Sequence, residues 1–232
     1  MDKIGQLLER GFWGGIVIAA TFMGFAVFLY LVYRLIKFLQ PKTVRQEEQR
    51  VYSHPFYKVS GRGRVAYLIL CLEEVLLFYG QDFSAWERIL RELWSITNGS
   101  EGDWIGTWLD SVWELLPSQI LANKTDQLSS DDKREILNLY AQSGLVMILV
   151  NTLMENIYTM VCEWSPDMVA HAPDALHYID EAEEMLKKFS VPLPANEAVQ
   201  FLTSQKDSSL GRSFEGVRLS YLSKTVSNSE RL

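Results

Sequence analysis

The sequence predicts an all-α protein: a single N-terminal transmembrane helix, a basic linker, then one compact multi-helix domain. Three observations predict it. From Gly11 to Tyr33 there are 23 consecutive residues without a charge. Beyond residue 64, apolar residues recur at three- and four-residue spacing, with no strand-like alternation above background. Capping and terminating residues stand at the edges of those runs.

The uncharged run comes first. At 1.5 Å per residue, a helix of that length is roughly 34 Å long, enough to cross the hydrocarbon core of a bilayer. A secretory signal has a shorter apolar region and a small-x-small cleavage site. Here the run ends in Leu29-Tyr30-Leu31-Val32-Tyr33-Arg34, which is a poor one. Residues 11–39 are therefore expected to form a retained transmembrane helix behind a short tail, 1–10. Trp13, Tyr30 and Tyr33 are placed as interface anchors. Gly11, Gly15 and Ala19 are spaced by four, the spacing that lets two membrane helices approach closely and dimerise.

A basic linker, residues 40–63, follows. Residues 34–64 hold eight basic groups against two acidic ones, whereas 101–200 hold seventeen acidic groups against five basic. Arg34, Lys37, Lys42 and Arg45 are placed to meet anionic lipid headgroups, and Arg62 and Arg64 of the "GRGR" word read the same way. The excess of cations after the span puts the large domain in the cytoplasm, on a single-pass protein of the cell membrane. The acidic body argues against nucleic acid as a partner.

The acidic helical domain is expected over 64–203. Its first helix, "RVAYLILCLEEVLLFYG", is apolar nearly all round and belongs at the centre, with Gly80 placed to end it. In "SAWERILRELWSI", Ser84 and Glu87 offer a capping box, and Trp86, Ile89, Leu90, Leu93 and Trp94 form one face. "DWIGTWLDSVWELLP" repeats the device, with Asp103 as cap and Pro117 after the last turn. The spacing of the tryptophans in these two helices predicts core packing over a recognition surface. Ser129 with Asp132 offers another box. "GLVMILVNTLMENIYTMVCEW" has an uncharged span of 14 residues with Asn151 inside it, too short and polar to cross a membrane, so it reads as a core helix. A further helix begins near Pro173, with Leu176, Ile179, Leu186 and Phe189 inward and Asp180, Glu181, Glu183 and Glu184 toward water. "SVPLPAN" reads as extended, before a short helix to about Leu202. The polar end, 204–232, reads as a mobile tail, although "SFEGVRLSYL" has enough apolar residues to dock.

The residues hold no recognisable catalytic constellation. Cys71 and Cys162 are the only cysteines and form no C-x-x-C pair. The histidines, His54, His171 and His177, make no metal motif, and neither a nucleophile elbow nor a phosphate loop is present. His177 and Glu181, four apart, and the carboxylates of "DEAEE" read as solvated helix faces. No cofactor and no metal are expected.

Three words, "LLFYGQDFSAWERILRELWSI", "PDALHYIDEAEEMLKKFSVPLP" and "SSLGRSFEGVRLSYL", resemble small bacterial helical proteins, some of them immunity proteins of toxin systems. The resemblance covers about residues 68–222, leaves out the membrane helix, and implies no catalytic residues. It implies a membrane-anchored protein-binding module of immunity type, and the acidic body suits a basic partner. Two other readings stay open: a membrane scaffold that self-associates through Gly11, Gly15 and Ala19, and an enzyme of unrecognised type.

Overall fold

The computed structural model describes residues 51–99, 104–164, 174–203 and 210–223. The chain divides into two compact units, Met1–Tyr52 and Ser53–Leu232. The expected membrane helix, its face of Gly11, Gly15 and Ala19, and the headgroup contacts Arg34, Lys37, Lys42 and Arg45 lie outside the described residues. Among the described residues, no helix is long and apolar enough to cross a membrane.

The second unit is helical, as its periodicity predicts. Its elements are α1 (Gly61–Phe78), α2 (Phe83–Ser95), α3 (Trp104–Leu115), α4 (Pro117–Leu121), α5 (Ser130–Gln142), α6 (Val146–Cys162), α7 (Asp174–Lys188) and α8 (Glu197–Gln200), with a 3₁₀ turn at Gly216–Arg218. Among the described residues no strand forms, and the one extended pairing is an isolated bridge between Val59 and Thr203.

Helix α1 is the axis. Every residue from Gly61 to Glu73 is buried, and α2, α6, α7 and α8 pack around it. A helix that is apolar on all sides can satisfy itself only in this position. It ends as Gly80 suggests. Gly80 has φ +64°, its N–H donates to Leu77 O, and the Gln81 N–H reaches back to Leu76 O. This six-to-one and five-to-two pairing closes the last carbonyls of α1. Beyond it, the Ser143 hydroxyl donates to Gln81 Oε1 at 3.3 Å, which ties the end of α1 to the turn where α6 begins.

Helix α2 buries Trp86, Ile89, Leu90, Leu93 and Trp94, the face that its spacing predicts. Its cap differs. Asp82, not Ser84, accepts from the Ser84 N–H at 2.9 Å and from the Ser84 hydroxyl at 2.7 Å. Ser84 is already the second helical residue, so its side chain is past the capping position. At α5 the expected cap is present, with Ser129 Oγ accepting from the Asp132 N–H at 3.1 Å. The reciprocal half of that box is also made: the Asp132 carboxylate pairs with Arg88 at 2.5 Å and accepts from the Ser129 N–H, and these contacts hold its pKa below the usual carboxylate value.

The folded unit reaches beyond 64–203 at both ends. Phe56 and Val59 are buried ahead of α1. The described part of the C-terminal region also packs: Phe214 N–H donates to Thr97 O, and Gly216 N–H to Thr97 Oγ1. The docking of "SFEGVRLSYL" is explained by Glu73, which is fully buried in α1. It accepts from Trp94 Nε1 at 2.8 Å, from the Tyr221 N–H at 2.9 Å and from the Ser220 hydroxyl. A buried carboxylate needs such donors, and only the C-terminal segment supplies two of them.

Arg62 and Arg64 are not lipid-facing. Both are buried at the start of α1. Arg62 donates to the carbonyls of Gly211 (3.0 Å) and Gly99 and lies over the Trp104 ring at 5.0 Å. Arg64 donates to Phe56 O and Tyr57 O at 3.2 and 3.0 Å. The planar, many-donor guanidinium here stitches loop carbonyls together. Arg62 Nε and Arg64 Nη1 are left without partners. Burial lowers both pKa values, Arg64's to about 10. Gly63 permits the close packing: a Cβ there would lie 2.6 Å from Val59 Cγ1.

Helix α7 is less open to water than its charges suggest. His54 Nε2 meets Asp180 Oδ1 at 3.1 Å, Tyr67 OH donates to Glu183 at 3.1 Å, and Asn156 Nδ2 donates to Glu181 at 3.2 Å. Phe189, expected inside, is exposed, since the chain turns out of the helix at Ser190 with φ +58°.

Candidate protein-binding surface

The five tryptophans between residues 86 and 113 divide. Trp86, Trp94 and Trp108 are core residues, as predicted. Trp113 is 38 % exposed. It sits on α3, and its ring lies 5.6 Å from that of Tyr158 on α6, tilted by 46°. The two helices run antiparallel here, because the Ser118 hydroxyl, just beyond α3, donates to Glu155 Oε1 at 2.5 Å, one turn before Tyr158.

Each helix places a carboxylate one turn before its aromatic residue: Asp110 before Trp113, and Glu155 before Tyr158. With the helices antiparallel, the two carboxylates bracket the aromatic pair from opposite ends. The Tyr158 phenol responds to them. Its pKa is pushed up to about 12, first by burial, then by Cys162, and further by Asp110 and Glu155. Cys162 completes the surface at the end of α6. Its thiol is also raised, by burial first and by Glu163, so it is not an activated thiolate. Both cysteines are free, Cys71 buried and Cys162 exposed.

The helices that carry the site contribute no balancing cation. Residues 92–123 and 135–186 contain no lysine or arginine, so α3, α4 and α6 carry none. Five cations elsewhere are paired: Arg88 with Asp132, Arg91 with Glu87, Arg134 with Asp131, Lys187 with Glu183 and Arg218 with Glu215. The C-terminus of α6 adds the negative end of its helix dipole.

A second exposed feature borders this face. Leu145 is 85 % and Ile148 62 % exposed, at the start of α6. Leu77, Phe78 and Tyr79 at the end of α1 are also exposed. The bond between Ser143 and Gln81 puts the two turns at the same end of the bundle.

The spacing that marks Trp113 as one face of an amphipathic helix cannot say that α3 presents that residue to solvent beside α6. The long stretches without lysine or arginine were the available signal. Among the described residues, no group of three or more His, Cys, Asp and Glu side chains is placed to hold a metal ion. No protein-family model, curated protein or solved structure matches the chain.

Proposed function

We propose that this chain is a binding module, held at a membrane by its N-terminal segment, that captures a basic partner protein on the face formed by α3 and α6. One observation carries the reading: Trp113 and Tyr158 stand together at the surface between Asp110 and Glu155, on helices with no cation of their own. Aromatic faces attract lysine and arginine, and flanking carboxylates add direct charge pairing. A field of one sign also speeds capture of an oppositely charged partner and excludes others. The excess of cations after the apolar segment supports a cytoplasmic side for the domain. The resemblance to immunity proteins supplies the specific form of the proposal, in which the basic partner is a toxin.

The test uses the full chain, extracted in detergent and immobilised, with the product of the neighbouring gene as candidate partner. The expected result is retention by the wild type and loss by the Asp110→Lys, Glu155→Lys double variant, with retention weakening as salt is raised. Equal passage over both columns, with no protection from the co-expressed product, overturns the reading.

A further inference from the structure

We infer that the partner presents a two-part helical segment, apolar at one end and cationic at the other, which lies along the outward stripe of α6. The inference rests on the binding reading above and names the chemistry of what is bound. Leu145, Ile148, Thr152, Glu155, Thr159 and Cys162 recur every three or four residues and are all exposed or partly exposed, so they line one side of α6 and the turn before it. This stripe changes character along its length. From Ile136 to Met154 there is no charged residue, and none from Val75 to Gln81. The first end of the stripe, with the exposed tip of α1 beside it, is therefore apolar and uncharged. The second end is carboxylate and aromatic.

The spacing sets what can cover it. Ile148 and Tyr158 are ten residues apart, roughly 15 Å along the helix. A partner helix aligned with α6 needs its apolar residues about ten positions from its cations. Among the described residues there is no strand edge to extend, which favours a helix-on-helix contact. Charge decides between occupants. A second copy meeting this face across a two-fold axis would set carboxylates against carboxylates with the helices parallel, or carboxylates against the apolar end with them antiparallel. An anionic bilayer would meet a surface without lysine or arginine to hold it. A cationic amphipathic segment complements both halves.

The experiment is calorimetric titration of the full chain in zwitterionic lipid nanodiscs with three 18-residue helical peptides. The first has an apolar half and an arginine half. The second has the same composition with the arginines spread evenly. The third keeps the arginine half and replaces the apolar half with alanine and serine. The first should bind at least tenfold more tightly than the others. Ile148→Asp should remove that advantage and leave the third peptide's affinity unchanged. Asp110→Lys with Glu155→Lys should abolish binding of all three. Equal affinities, all sensitive to Asp110 and Glu155 alone, overturn the two-part segment while the cationic site stands. Absence of binding by every peptide overturns both. If Ile148→Asp leaves peptide affinity unchanged but dissociates a dimer or alters contact with the nanodisc lipid, the apolar end belongs to a second copy or to the bilayer, and the inference falls.

Discussion

Arg62, Arg64 and Glu73 are sunk in the domain: Arg64 holds the carbonyls just ahead of its helix, and Arg62 and Glu73 meet carbonyls, a hydroxyl and N–H groups from distant parts of the chain. Asp110 and Glu155 stand beside an exposed tryptophan and a half-buried tyrosine, on helices without a cation. The contrast separates two uses of charge. Around α1, polar groups join segments that are far apart in sequence, and removing one partner strands the others. Along α3 and α6, buried Glu114 caps Asp126 and Gln127 and Glu155 accepts from Ser118, but Asp110 is exposed and Glu155 only half-buried, so both remain available to something outside the fold.

The sharpest way to break this contrast is at Glu73. Glu73→Ala removes the acceptor of Trp94, Ser220 and Tyr221 and should cost about 3–5 kcal/mol, the range for breaking a buried charged network. Urea unfolding of the full chain, followed by circular dichroism, measures it. A loss below about 1 kcal/mol would place Glu73 outside the framework.

A second effect appears in alkali. Tyr221 is raised to about 12, first by its hydrogen bond to Glu74, and Tyr158 to about 12 by burial; burial raises Tyr67 and Tyr140 further. The folded chain keeps these protons where the unfolded chain loses them, near pH 10. Their contribution is complete below that point; the share of Tyr221 and Tyr158 is lost as pH rises from about 10 to about 12, and that of Tyr67 and Tyr140 goes on falling above it. Burial lowers the pKa of Arg62 and Arg64, which acts in the opposite sense, but four phenols outnumber two guanidiniums. Stability should therefore fall across that window, and less steeply in Tyr221→Phe. A flat profile in the wild type contradicts the packing of these phenols.

Smaller still is Ser129→Ala, which removes the α5 cap and should cost about 1 kcal/mol by the same unfolding assay. Last come Asp110→Asn and Glu155→Gln, each expected within about 0.5 kcal/mol of wild type. A larger loss at either position would make that carboxylate structural and remove it from the binding surface.

The sequence shows most clearly what depends on neighbours along the chain. The buried face of α2, the end of α1 at Gly80 and the cap at Ser129 are all set within a few residues, and all are visible in the spacing. The cap at Asp82 was obscured by a second good candidate two positions away. What depends on distant backbone left no trace. Arg62 and Arg64 look like surface cations because their partners are carbonyls, which any residue carries. The binding face was half legible. A run of residues without lysine or arginine can be read directly, but the pairing of Trp113 with Tyr158 needs α3 to lie against α6.

The partners of Glu73 also bear on the order of synthesis. Ser220 and Tyr221 are made 147 and 148 residues after the carboxylate they serve. While the ribosome builds the intervening helices, the acid on the central helix can meet Trp94 but not its two other donors, and its burial is unfavourable until they follow. The domain therefore completes its fold only once residues 220 and 221 have been released. A chain stopped before residue 220 would retain every helix of the bundle and still be prone to misfold.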